Sequence, residues 1–318
     1  MREGSEQTTG ASTGADLAVA SIVVVNYGSS SLLERHLVPM ARSMPGVAVY
    51  VVDNHSTPGE ARRVSELSAS EGWTPLLSAG NDGFGAGVNR GVTAARADGR
   101  TRFLVINPDA VVDATSVQVL LDAVDGSEPI VAAPVIQDGA GRLWSAGHVL
   151  DLDDGATHGR AWAQRHPEAR VRRWLTGAVL MINEAAWVAT GGFDDDYFLY
   201  WEDVDFSMRV EGAGGELVLV EAAKAVHDEG GTQGIGDPDV HAKSPLYYYY
   251  NIRNRMLLAQ KLLDAETVRR WDASSVTAAR EVLLRGGRRQ LLKPWRPFRA
   301  AWRGWRDGRR IARRSRRA

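Results

Sequence analysis

The sequence predicts an α/β protein with a Rossmann-like, mostly parallel sheet covered by helices on both faces, and three observations predict it. Four short apolar runs lie in the first 110 residues, Ala20 to Val25, Val47 to Val52, Thr74 to Ala79 and Arg102 to Ile106. Helical stretches of ten to fifteen residues separate them, a length that suits right-handed βαβ crossovers. Each run ends in polar or turn-forming residues: Asn26-Tyr27, Asp53-Asn54, Gly80-Asn81 and Asn107-Pro108-Asp109. In a parallel sheet these carboxyl ends share one edge, and ligands bind beyond that edge.

Taken in order, the first run leads into Ser29-Ser30-Ser31, whose hydroxyls cap a helix from Leu32 to Ser43. Ser56-Thr57-Pro58 opens the next helix by the cap-then-proline rule. The run Gly83-Phe-Gly85-Ala-Gly87-Val-Asn89 follows the third strand. A dinucleotide fingerprint needs glycine at 88, where this chain has Val88, and it follows a first strand, so a dehydrogenase is disfavoured. Glycines entering a helix N-terminus still let backbone N–H groups approach a diphosphate. Gln137 to Arg173 is polar and rich in Gly, Asp and His, and reads as a mobile loop or irregular insertion. Trp174 to Ile182 reads as one strand containing Thr176-Gly177-Ala178. Between Gly191 and Phe206 six acids lie among aromatics, before a helical stretch to Val210. Carboxylates are favoured at a helix start, which accounts for one or two of them, Glu202 and Asp203 included, but not for six. A strand from Glu216 to Val220 leads to His227, followed by Asp228 and glycines as in a metal-binding loop.

At 318 residues and 44% hydrophobic content the chain can bury a full core, and with no cysteine it has no disulfide, thiolate metal site or catalytic thiol. Its net charge of −1 is the sum of two unlike parts. Residues 285–318 hold fourteen Arg and Lys against Asp307 alone, leaving the rest of the chain at −14. Residues 1–17 read as a disordered leader without signal-peptide character, and the apolar runs fall short of the ~20 residues of a membrane span, which together suggest a cytoplasmic protein. Near the other end Trp295, Phe298, Trp302 and Trp305 fall on one helical stripe flanked by Arg296, Arg299, Arg303, Arg306 and Arg310. Two readings stay open: a peripheral anchor on the anionic inner face of the cell membrane, or a helix packed on the body or on the second subunit of a homodimer. No base-stacking fold accompanies the charge, so specific nucleic-acid binding is not expected.

In order and spacing these segments resemble family 2 glycosyltransferases of the GT-A fold, and within them the bacterial rhamnosyltransferase-like branch. The resemblance is carried by Val23-Val-Val-Asn-Tyr27, Val52-Asp-Asn-His-Ser56, Asn81-x-Gly-Phe-Gly-x-Gly-x-Asn-x-Gly91, Asn107-Pro-Asp109, Thr176-Gly-Ala178, Gly192-Phe-Asp194, Phe198 to Phe206 and His227. It implies a catalytic domain over residues 18–265, with a nucleotide-binding half to 110 and an acceptor half from 111, followed by a basic helical tail over 266–318. It implies that Tyr27 stacks on the base of a uridine or thymidine diphosphate sugar, and that Asp53 accepts the base imide N–H. Asn81, Gly83, Gly85, Asn89 and Asn107 would line ribose and diphosphate. Asp109 and His227 would hold Mg²⁺ or Mn²⁺ against the diphosphate. Asp203 would be the general base of an inverting transfer to a hydroxyl acceptor, with Thr176, Gly177, Trp201 and Glu202 shaping the sugar and acceptor pocket. The donor sugar implied is a 6-deoxyhexose such as rhamnose; the acceptor stays open among glycans, lipid-linked sugars and secondary metabolites. The first acid of the family's D-x-D motif is Asn107 here, a form common in this branch, and loss of that charge predicts weak metal binding without nucleotide. A nucleotidyltransferase and a catalytically decayed membrane-surface scaffold are the competing readings.

Overall fold

Alternate residues of the first strand are buried on opposite sides, Ile22 and Val24 toward one layer of helices, Val23 and Val25 toward the other. This is the pattern of a strand covered on both faces. The computed structural model describes residues 15–227, 243–287 and 295–314. The predicted leader therefore lies outside the described residues up to 14, and its last three residues enter helix α1 (Ala15–Val19), with Leu17 against the core.

The large sheet has the strand order β3-β2-β1-β4-β11-β6-β12-β5, with β7 beside β6. Strands β1 (Ala20–Asn26), β2 (Ala48–Asp53), β3 (Thr74–Leu77) and β4 (Arg102–Ile106) are parallel. The remaining strands are β5 (Ala110–Val112), β6 (Ile130–Gln137), β7 (Leu143–Ser145), β11 (Val179–Asn183) and β12 (Glu216–His227), and β11 runs antiparallel between β4 and β6. One face is covered by α2 (Ser30–Leu32), a π-helical turn (Leu33–Leu37), α3 (Val38–Arg42), α4 (Pro58–Glu71) and α6 (Ala114–Ala123). The other is covered by α5 (Phe84–Ala97), α8 (Glu184–Thr190) and α9 (Glu202–Gly212). Thr57 caps α4 by accepting from the Glu60 N–H at 3.1 Å, with Pro58 at the first helical position, as its sequence predicts.

Two expectations are corrected. The segment Gln137 to Arg173 is not an irregular loop: after β7 it forms β8 (His148–Asp151), β9 (Thr157–Gly159) and α7 (Arg160–Arg165). A second, three-stranded antiparallel sheet results, β10-β8-β9, with Trp174 stacked on His148. The stretch Trp174 to Ile182 is not one strand. β10 (Val171–Trp174) belongs to that small sheet and β11 to the large one, because Leu175 to Ala178 turns its peptide groups toward other partners. In addition, the strand expected over Glu216 to Val220 continues to His227 past an irregularity between Val220 and Lys224.

Four helices follow: α10 (Pro245–Leu262), α11 (Ala265–Ala273), α12 (Ser275–Leu284) and α13 (Trp295–Arg314). α13 lies along α10 through a face of small residues. Ala301, Gly304, Gly308 and Ala312 are buried, and a methyl group added at Gly308 would meet Met256 at 3.2 Å. The close approach leaves Trp295, Phe298 and Trp302 exposed, while Trp305 turns inward and donates to the Ser275 hydroxyl at 3.1 Å.

Candidate active site

The polar residues at the carboxyl ends of β1, β2 and β4 come together as the topology requires, each fixed by buried partners. Asp53, 1% exposed, accepts from the Asn26 side-chain amide at 3.0 Å, and its second oxygen has no partner among the described residues. Burial raises its pKa. Asn26 also donates to buried Glu60, which in turn receives the Ser30 N–H at 2.6 Å and Arg63 at 2.7 Å. Beside this network Tyr27 stands 55% exposed, an aromatic face open to solvent.

The glycine-rich segment is held by Asn54. Its amide donates to Asn81 Oδ1 at 3.0 Å and to the Gly83 carbonyl at 2.8 Å, and Asn81 Oδ1 also accepts the Gly83 N–H. The glycines themselves answer mainly to packing. Gly83 has φ +95° and a side chain there would fall on the Phe198 carbonyl; at Gly87 it would meet Val25 at 2.8 Å. Gly85 likewise lies against Phe193. Asn89 is drawn away from this loop: its amide donates to the Phe193 carbonyl at 2.8 Å and to Asp195, and its oxygen accepts the Phe193 N–H.

At the end of β4, Asp109 and His227 meet, with Asp109 Oδ1 3.2 Å from His227 Nε2, and both are buried. The Asn107 amide nitrogen lies 3.4 Å from the same imidazole nitrogen. Trp144 packs on the His227 ring at a centroid distance of 4.6 Å, and Nδ1 has no partner among the described residues. A carboxylate and an imidazole side by side fit a hard or borderline divalent cation whose other ligands come from phosphate and water. Among the described residues no group of three or more His, Cys, Asp or Glu forms a self-sufficient metal cage.

Asp203 sits in the first turn of α9, half-buried, where its Oδ2 accepts the Gly177 N–H at 3.0 Å. Burial lifts its pKa to about 6. Neighbouring Glu202 is 6% exposed with Oε2 unpartnered among the described residues, and burial together with the Asp203 charge holds its pKa well above the usual carboxylate range. Asp205, by contrast, is paired with Arg209 at 2.6 Å inside the core. The two predicted groups at opposite ends of the site are joined through Gly177 and Ala178. Gly177 donates to Asp203, while the Ala178 carbonyl accepts the Asn107 N–H at 2.9 Å, and Thr176 lies buried just before.

Among the described residues, three non-glycine residues have left-handed backbones: His55 (φ 55°), two residues after Asp53, and Tyr200 (φ 65°) and Trp201 (φ 77°), which lie three and two residues before Asp203. Such conformations cost of order 1–3 kcal/mol each and concentrate where function imposes them. Trp201, buried at 7%, is itself the residue preceding α9.

A sheet of this order, with its polar residues on the carboxyl edge, defines a GT-A glycosyltransferase fold. Solved structures share it at low identity: GalNAc-T7 crystallised with UDP, GalNAc and Mn²⁺, at TM-score 0.60 and 15% identity over 86% of this chain but 54% of that one, so the chain spans about half its length. The mannosyltransferase PcManGT from Pyrobaculum calidifontis, in complex with GDP-Man and Mn²⁺, matches at TM-score 0.54 and 14% identity over 93% of this chain and 86% of that one. Residues 21–187 match the model for glycosyl transferase family 2, and the chain belongs to that family. It is a glycosyltransferase of the rhamnosyltransferase-like branch. N-acetylglucosaminyl-diphospho-decaprenol L-rhamnosyltransferase from Mycobacterium tuberculosis is 31% identical over 250 residues, covering 70% of this chain and 80% of that protein.

Proposed function

We propose that residues 18–265 catalyse inverting, metal-assisted transfer of a hexose, a 6-deoxyhexose such as rhamnose, from a dTDP- or UDP-sugar to a hydroxyl of a lipid-linked glycan. The observation that carries the proposal is the junction at Gly177 and Ala178, which sets Asp203 beside the Asn107–Asp109 turn. The acceptor hydroxyl attacks the anomeric carbon, the bond from that carbon to the phosphate oxygen breaks, and Asp203 takes the hydroxyl proton. Asp53 receives the imide N–H of uracil or thymine on its unpartnered oxygen, with Tyr27 against the base and Asn81 beside the loop entering α5. Asp109 and His227 would hold Mg²⁺ or Mn²⁺, which when bound neutralises charge on the departing diphosphate. Trp201, Glu202 and Thr176 border the sugar and acceptor space, and a protonated Glu202 is able to donate a hydrogen bond there. The activity in the name of the mycobacterial relative supports both the rhamnosyl donor and the lipid-linked acceptor.

Calorimetry with dTDP- and UDP-sugars in the presence of Mg²⁺ or Mn²⁺, followed by a transfer assay on a polyprenyl-diphosphate sugar, tests the reading. Saturable metal-linked binding and turnover are expected, and failure to turn over any donor with either metal would leave the decayed scaffold as the better account. With Asp203 at about 6, kcat is expected to fall as pH drops through 6, since only the ionised carboxylate accepts the proton, and to level off above 7. A pH–rate profile at saturating donor checks this; an acidic limb near 4 would mean that the base titrates as a solvated carboxylate.

The same proposal gives α13 a place at an anionic membrane surface. Its outward side carries Trp295, Phe298 and Trp302 with Arg296, Arg299, Arg303, Arg310 and Arg313, all exposed, and Asp307, the single acid of the helix, is occupied by Arg306 at 3.0 Å and Tyr249. Aromatic rings at headgroup depth beside guanidinium groups suit anionic lipid. Among the described residues no helix is long and apolar enough to cross a membrane. Trp295→Ala/Phe298→Ala/Trp302→Ala should lose at least tenfold in partition to vesicles containing phosphatidylglycerol while keeping nucleotide affinity. Equal flotation of wild type and triple variant would reject the surface.

A further inference from the structure

The tyrosine-rich run Leu246 to Asn254 has no part in the chemistry above, yet α10 grips the segment preceding the proposed base along its whole length. Tyr250 stacks on Phe198 at 5.2 Å, and Tyr247 meets Tyr200 edge-on at 5.4 Å. Lys261 pairs with Asp194 and Asp196, each at 2.6 Å. Positions 247, 250, 254 and 261 recur on one face of the helix. At its centre Asn254 is fully buried, and its side-chain amide donates to two successive carbonyls, Leu199 at 3.0 Å and Tyr200 at 2.8 Å. Its oxygen accepts from Arg253 at 2.6 Å, so the amide is oriented with both donors on the turn. That turn is the one whose Tyr200 and Trp201 are left-handed and whose Phe198 carbonyl accepts the Phe84 N–H at 2.9 Å, at the start of α5.

We infer that Asn254 is a positioning residue for sugar transfer: it holds the left-handed Tyr200–Trp201 turn so that α9 begins at Glu202 and presents Asp203 to Gly177. Bulky aromatic residues do not keep positive φ unaided. Only a side chain with two donors and no charge serves here. Alanine takes the side-chain donors away from two partly buried carbonyls, and aspartate sets a carboxylate against them. The inference rests on Asp203 being the base, but the hold on the turn is measurable without turnover.

Asn254→Ala and Asn254→Asp are compared with Asn183→Ala, which removes a fully buried asparagine of similar bonding far from the site, where its amide holds the Val124 and Glu128 carbonyls. Hydrogen exchange over residues 198–206, melting temperature, donor affinity and steady-state kinetics are read for each. Both Asn254 variants should exchange faster over 198–206 and lose about 30- to 300-fold in kcat, with donor KM within threefold. Asn183→Ala should lower the melting temperature with kcat intact. Unchanged exchange over 198–206 in the Asn254 variants overturns the hold on the turn, and kcat within threefold despite faster exchange overturns the positioning role. Loss of kcat in proportion to melting temperature in all three variants would reduce Asn254 to general stability. A wild type that binds donor but transfers nothing would instead defeat the proposed reaction, with the exchange data still deciding whether Asn254 holds the turn.

Discussion

Replacing Asp203 with asparagine is expected to lower sugar transfer by at least about 10³-fold while leaving nucleotide affinity within a few-fold. The asymmetry follows from where the side chain sits. Its carboxylate contacts the Gly177 and Val204 N–H groups and is separate from the Asp53, Asn26 and Glu60 network proposed to meet the nucleotide. Asparagine keeps the shape and one acceptor oxygen but cannot take a proton near neutral pH. Because burial already opposes ionisation of Asp203, removing the charge relieves a cost as it removes a hydrogen-bonded oxygen, and the fold should tolerate it. Kinetics and calorimetry on one preparation check the outcome. Turnover within tenfold of wild type would remove Asp203 from the mechanism, and a parallel loss of nucleotide affinity would make it a structural residue.

The second large effect is expected at Asp109. Asp109→Ala should cut transfer at least about 10²-fold and abolish the dependence of nucleoside diphosphate affinity on Mg²⁺ or Mn²⁺. Asp109 and His227 are the charged or coordinating side chains that meet there, and with Asn107 in place of an acid the carboxylate of Asp109 carries the negative charge of that set. Asn107→Asp should act in the opposite sense, strengthening metal binding in the absence of nucleotide by adding an anionic ligand. Calorimetric titration of each variant with metal, with nucleotide and with both separates these outcomes. Metal-dependent nucleotide binding that survives Asp109→Ala would place the ion elsewhere.

Much of this site could be read along the chain because strand ends are local features. Asn26-Tyr27, Asp53, Asn81 and Asn107 to Asp109 each follow an apolar run, and a parallel sheet gathers such ends without further information. The place of Asp203 at a helix start within an acid-rich segment is equally legible, but its proposed role as base comes only from the family resemblance. The supporting residues were not. Asn54, Glu60 and Asn254 act through partners that lie 27, 30 and 54 residues away, and hydrophobic periodicity carries no trace of such pairings. Asn89 and the glycines at 85 and 87 gave the converse difficulty. Their motif points to a phosphate, whereas their neighbours in space are Phe193 and Val25. The ordered insertion leaves little sequence signal because its strands, three or four residues long, are polar on their exposed side and draw stability from aromatic stacking such as His148 on Trp174.

The link between Gly177 and Ala178 has a bearing on how such an enzyme can change. One residue's N–H faces Asp203 and the next residue's carbonyl faces the Asn107 turn, so their separation is set by covalent bond lengths and a 3.8 Å step between α-carbons, independent of any rotamer. The chain contains a ruler between the place where the proposed transfer would take a proton and the place where a diphosphate would leave. Loops around it are then free to be exchanged for a new sugar or acceptor without retuning that spacing, and the tolerance of the surroundings comes from the rigidity of two residues.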